Sequence, residues 1–175
     1  QLKCLNTTVR ISTKKLKQHT FGSLLNAGFV SKLEARLAEA AELARRCDVI
    51  LACPPNFIER LRLNRAAVEA GIPFIDAAQW GMTGSLTVVR PGETACLQCV
   101  YPEEPPFEEF FPVVGAISMA IGALAALEAI KILSGAGTPQ YGKMLMLDGY
   151  HGRTTSLELR RDPNCPCCGN TASAN

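Results

Sequence analysis

The sequence predicts an α/β fold: a sheet begun by a parallel strand–helix–strand unit, continued by antiparallel strands, and held by a structural zinc site. Three observations carry this reading. An apolar run, a helical stretch and a second apolar run follow one another between residues 47 and 75. Later segments alternate polar and apolar residues around turn-rich linkers, the pattern of half-buried antiparallel strands. Two CxxC knuckles, Cys96–Cys99 and Cys165–Cys168, bracket the last of these segments.

A chain of 175 residues with 47% hydrophobic content reads as one globular domain, 1–175, with nothing that suggests disorder. Its net charge of +2 is near balance, which argues against a nucleic-acid or membrane-surface protein. Lys14, Lys15 and Lys17 cluster, but no aromatic residues interleave with them, so they read as a solvated face. The opening stretch QLKCLNTTVR has no apolar run and no cleavage pattern, which places the chain in the cytoplasm. It opens on Gln1 rather than methionine, and so reads as a piece of a longer protein.

Ser31 and Glu34 form a capping box, followed on one helical face by Leu33, Leu37, Ala40 and Ala44. CDVILAC, Cys47 to Cys53, is a short β-branched run stopped by two prolines, as expected of a buried parallel strand. Asn56 with Glu59 three residues on starts a second helix, and Gly71 stops it. Ile72 to Ile75 opens the next strand, which completes a βαβ unit. SLTVVR (Ser85 to Arg90), KMLMLD (Lys143 to Asp148) and TSLELRR (Thr155 to Arg161) read as antiparallel strands. VVGAISMAIGALAALEAIKIL, Val113 to Leu133, reaches a charge at Glu128 after about fifteen residues, short of the ~20 a bilayer needs. It reads as a buried core helix, with Gly115, Ala116, Gly122, Ala123 and Ala126 letting another element approach closely and Gly135 as its stop.

Cys96, Cys99, Cys165 and Cys168 together give four thiolates, a tetrahedral zinc set. Without a secretion signal, disulfides explain the eight cysteines less well. Closing the long loop between the knuckles costs about 4 kcal/mol by chain entropy, whereas structural zinc supplies about 10–16 kcal/mol. Full thiolate ligation leaves no open position, so the metal is structural and activates no water. Cys167 is either a spare thiol or a competitor of Cys168 for the metal.

The order of ACPPNFIERLRLNRA, AAQWGMTGSLTVV, PGETACLQCVYP, GAISMAIGALAALEAIKIL and RRDPNCPCCG resembles the ThiF/MoeB/HesA family, whose fold is shared with ubiquitin-activating enzymes. The similarity spans residues 46–169 and leaves 1–45 as a divergent N-terminal segment. It implies a partial Rossmann-like (ThiF/MoeB-type) sheet and assigns Cys96, Cys99, Cys165 and Cys168 as ligands of a structural zinc. It further implies ATP- and magnesium-dependent adenylation of the C-terminal glycine of a ubiquitin-like or sulfur-carrier protein, by a homodimer. Asn56, Arg60, Asn64 and Arg65 match the family helix beside the nucleotide; a cap and solvated helix charges are the plainer account of the same residues.

The departures are as informative. No GxGxxG occurs anywhere in the chain, and Pro55-Asn56 stands where the family has a magnesium-handling aspartate before asparagine. The loop EEPPFEEFFPVVG carries no thioester or persulfide cysteine; Phe107, Phe110 and Phe111 there suit a protein partner or fold back onto the core. His19 and His151 are isolated, and Cys53 precedes Arg60 with one residue too many for a cysteine-phosphatase loop. Two readings follow: the C-terminal part of an adenylyltransferase, lacking the nucleotide-binding half and inactive by itself, or a non-catalytic zinc-stabilised interaction module. In either case the edge of CDVILAC needs a cover, either Thr7 to Ser12 or a second copy of the chain.

Overall fold

The structure is a computed structural model that describes residues 40–42, 44–54, 56–105 and 112–169. Of the helix expected from Ser31, only the end falls within these, and residues 40–42 and Ala44 are helical. The lysine cluster, His19, the Thr7–Ser12 segment, Pro55 and the three loop phenylalanines lie outside the described residues.

Strand β1 (Ile50–Ala52) is shorter than the Cys47–Cys53 run, and of its residues only Ala52 is buried. The expectation of a buried strand is corrected, since Leu51 is 41% exposed; among the described residues β1 stands at the edge of the sheet, the open edge expected of CDVILAC. Helix α1 (Phe57–Ala70) starts where Asn56, in extended conformation, accepts the Glu59 N–H on its side chain at 2.8 Å. It ends at Gly71, whose φ of 69° is the left-handed value that a C-terminal stop requires. Strand β2 (Phe74–Trp80) then runs parallel to β1 with Ile50 opposite Phe74, so the βαβ unit forms as predicted.

Strand β3 (Thr83–Val89) turns back antiparallel to β2, and β4 (Lys143–Asp148) and β5 (Arg153–Glu158) follow antiparallel in turn. Among the described residues the sheet has five strands in the order β1-β2-β3-β4-β5. β5 begins earlier than Thr155 because Gly152, at φ 63°, completes the turn and pairing resumes at once with Arg153 opposite Asp148. Between β3 and β4 lie the four-residue helix α2 (Leu97–Val100) and the long helix α3 (Gly115–Ser134).

α1 and α2 cover one face of the sheet, where Ala52, Phe74 and Val89 pack with Ala67, Val68 and Leu97. α3 covers the other through Ile117, Ile121 and Ala125 against Ile75, Leu86 and Val88. Here the expectation of a core helix buried all round is corrected. By length and composition alone α3 could cross a membrane, and its outward face is open: Met119 is 72% and Ile130 is 58% exposed. The small residues Gly115, Ala116, Ala123 and Ala126 lie on that exposed face and not against the sheet.

The close approach comes instead from Gly84 on β3: a Cβ there would stand 2.4 Å from Ile121 Cγ1 and 2.8 Å from its Cδ1. Gly84→Ala is therefore expected to destabilise the fold by about 1–3 kcal/mol, the usual penalty for overpacking. A chemical-denaturation midpoint equal to that of the parent chain would contradict this seating of α3. Further along α3, buried Glu128 accepts hydrogen bonds from Lys131 Nζ and, at 2.9 Å, from the Gln140 N–H, which ties the helix to the loop entering β4.

Candidate functional site

The first knuckle forms where α2 starts at Cys96, with the Cys99 N–H donating to the Cys96 carbonyl at 3.1 Å. The second is a tight turn, Cys165–Gly169, closed by the Gly169 N–H on the Cys165 carbonyl at 2.8 Å. Only glycine fits behind it, because a Cβ at Gly169 would stand 2.5 Å from the Pro163 carbonyl oxygen. Arg161 joins the knuckles to the sheet turn, donating to the Gly92 carbonyl at 2.7 Å and to the Cys168 carbonyl.

Folding brings the Sγ atoms of Cys96, Cys99, Cys165 and Cys168 within 4.8 Å of one another. Three of the Sγ–Sγ separations are 3.4 Å (Cys99–Cys168), 3.7 Å (Cys96–Cys165) and 4.0 Å (Cys96–Cys99). A tetrahedron with metal–sulfur bonds near 2.3 Å has edges of about 3.8 Å, so this set can hold a metal ion of that kind. The cluster belongs to the same apolar core as Phe74 and Val89. The Cys96 thiol is pushed up by its hydrogen bond with Cys167 and then by burial, and burial also pushes up Cys99. At Cys165 burial works upward, but the amides of Cys168 and Cys167 outweigh it and the thiol lies below its ordinary value.

The four residues expected beside a nucleotide are spread over α1 and its cap. Asn56 is the helix cap. Arg60 forks onto Asp76 of β2, with Nε to Oδ1 at 2.8 Å, and its guanidinium lies over the Phe57 ring at 4.4 Å. Burial lowers the Arg60 pKa, but the hydrogen bonds and charge of Asp76 outweigh this and the guanidinium is held above its usual value. Asn64 is fully buried: its Oδ1 accepts the Leu97 N–H at 2.9 Å, and its Nδ2 donates to Cys167 Sγ at 3.3 Å. Arg65 is exposed on the helix surface. The fold thus already engages three of the four side chains.

Beside Arg60 a groove of about 160 Å³ runs over the open part of the sheet face, lined by Tyr101, Ala78, Trp80, Ser85 and Met146 among others. Trp80 there is 47% exposed. Asp76 and Tyr101, which position Arg60, escaped the sequence reading, although a lone charge inside the apolar strand IPFIDAA was a signal for the first. At the β4–β5 turn, His151 Nδ1 lies 2.7 Å from Asp148 Oδ2, so this histidine supports a turn. That hydrogen bond, chiefly, holds the Asp148 carboxyl below its usual value. The stability it lends is present above the carboxyl's unfolded pKa and is lost as pH falls through the lowered one. His151→Ala is expected to move the Asp148 carboxyl titration upward, read by NMR.

Comparison with known proteins agrees with this architecture. The model of the ThiF family matches residues 6–167. The protein HesA of Leptolyngbya boryana is 42% identical over 131 residues, which cover 74% of this chain and 47% of that protein. The sulfur carrier protein ThiS adenylyltransferase of Escherichia coli K12 is 38% identical over 146 residues, 80% of this chain and 58% of that one. The chain therefore spans about half the length of these curated relatives. Among solved structures, E. coli MccB with ATP superposes with a TM-score of 0.60 at 22% identity, covering 70% of this chain and 40% of that one, a likeness of fold. With its sheet, its paired knuckles and a match over most of its length, the chain belongs to the ThiF family.

Proposed function

We propose that this chain serves ATP-dependent adenylation of the C-terminal glycine of a ubiquitin-like or sulfur-carrier protein, as the zinc-stapled part of an adenylyltransferase whose phosphate-binding loop lies outside this sequence. The observation that carries the reading is its 38% identity over 146 residues to a sulfur-carrier adenylyltransferase. The groove from Arg60 and Tyr101 past Trp80 to Met146 supports it, since an extended tail needs an open sheet face with apolar and polar walls.

In such a reaction a carboxylate oxygen of the tail attacks the α-phosphorus of ATP and pyrophosphate leaves. Fixed cations favour the charge that develops. Cys96, Cys99, Cys165 and Cys168 would hold the zinc, which would take no part in that step, because four thiolates would fill its coordination. The β1 edge and the apolar outer face of α3 support a homodimer, and a monomer by light scattering at micromolar concentration, with normal solubility, would count against that part.

A second reading, a non-catalytic zinc-stabilised interaction module, is favoured by one observation: Asn56, Arg60 and Asn64 are spent on the fold. Calorimetric titration with ATP and magnesium, with zinc content measured on the same sample, separates the two. Micromolar binding supports the adenylating reading. No binding by a chain that carries one zinc counts toward the interaction module and confines any nucleotide site to the part outside this sequence.

A further inference from the structure

A fifth thiol stands against the cluster. Cys167 lies between two of the knuckle cysteines in sequence, is half-buried, and packs against the core that holds Cys96, Cys165 and Cys168. Its sulfur is engaged from α1 by the fully buried Asn64 amide, which donates to Cys167 Sγ at 3.3 Å. The other end of that amide is fixed by the Leu97 N–H at 2.9 Å, so Asn64 cannot follow the sulfur if the sulfur moves.

From this arrangement we propose that Cys167 is a reserve ligand of the metal and that Asn64 is the positioning residue that holds it in reserve. The inference rests on the zinc reading of Cys96, Cys99, Cys165 and Cys168. Cys167 neighbours Cys168 in the chain and packs against the core cluster to which Cys96, Cys165 and Cys168 belong. To enter the fourth position it needs to exchange the Asn64 N–H for the metal, and the departing Cys168 sulfur takes up a proton as the Cys167 thiol gives one up. Charge and proton count balance, and no oxidant is involved. The site can then change one thiolate for another without releasing its ion, a freedom that a four-cysteine site does not have.

The test loads the chain with cobalt(II), whose thiolate charge-transfer absorption counts sulfur ligands, and then with zinc for alkylation and mass spectrometry. In the parent chain, one metal is expected with Cys167 open to alkylation and Cys96, Cys99, Cys165 and Cys168 protected. In Cys168→Ser, one metal and an undiminished charge-transfer band are expected, with Cys167 now protected. Cys167→Ser should bind like the parent. The double variant Cys167→Ser/Cys168→Ser should lose one sulfur from the band and bind at least about a hundredfold more weakly, the upper end of what removing a ligand's outer partner alone costs. Asn64→Leu should protect Cys167 partly even with Cys168 present.

Loss of metal from Cys168→Ser, with Cys167 alkylated together with Cys96, Cys99 and Cys165, would overturn the proposal and leave the zinc site standing. A parent chain that binds no metal would overturn both.

Discussion

Stripping the proposed metal from Cys96, Cys99, Cys165 and Cys168 with a chelator is expected to unfold this chain and not merely to loosen one loop. The cluster shares a core with Phe74, Val89 and Ala67, so the sheet, α1 and both knuckles lose their common centre together. Structural zinc supplies about 10–16 kcal/mol, against a net stability of about 5–15 kcal/mol for a whole domain. For a chain of this length a loss of that size corresponds to a fall in Tm of at least about 20 °C. Binding holds the thiols as thiolates, so their effective folded pKa lies below the unfolded value of about 8.5. Metal-linked stability is then fully present above that pH and is lost as the pH falls. Thermal melts with and without chelator should differ most on the alkaline side and converge in acid. Superimposable melts from a chain of verified metal content would show that the four sulfurs hold nothing the fold depends on.

How much of this was legible in the sequence depended on whether a signal was local. Asn56, Glu59 and Gly71 mark both ends of α1 because a helix end must satisfy its own amides and carbonyls within a turn. The knuckles were legible for a related reason, since metal geometry fixes the spacing of each pair. β1 was found and its open edge expected, but its exposure was not, because an apolar run does not tell whether the faces of a strand are covered. α3 was legible as a helix and illegible as a packing surface: it is apolar all round, so periodicity could not say which side meets the sheet. Its close approach was written in Gly84, thirty-odd residues earlier, on the partner element. Arg60 and Asn64 were singled out by resemblance to the family helix, whereas their partners within the fold, Asp76, Leu97 and Cys167, lie on other elements and left no local signal.

Arg60 gives the second large expected effect. Asp76 is 1% exposed, and its charge is balanced by a guanidinium whose own side chain is 11% exposed. The fork is bidentate, and Phe57 and Tyr101 close it from outside, with their rings 4.7 Å apart edge to face. Arg60→Leu removes the cation and leaves the carboxylate in a site with little water. Breaking a buried pair in this way costs about 3–5 kcal/mol. Asp76→Asn should cost less, because the amide keeps one acceptor for Arg60, which has some access to solvent. Arg60→Leu/Asp76→Leu should recover much of the loss, since an apolar pair of similar volume is often neutral or better than buried ions. Urea denaturation of the four chains gives the coupling directly. The cycle also separates structure from nucleotide binding. If Arg60 served only as a phosphate contact, Arg60→Leu would leave the urea midpoint where it was and weaken only ATP binding. A large fall in midpoint, rescued by the second substitution, makes the guanidinium part of the frame. The search for a phosphate contact on α1 would then narrow to Arg65, the exposed one of the four expected side chains.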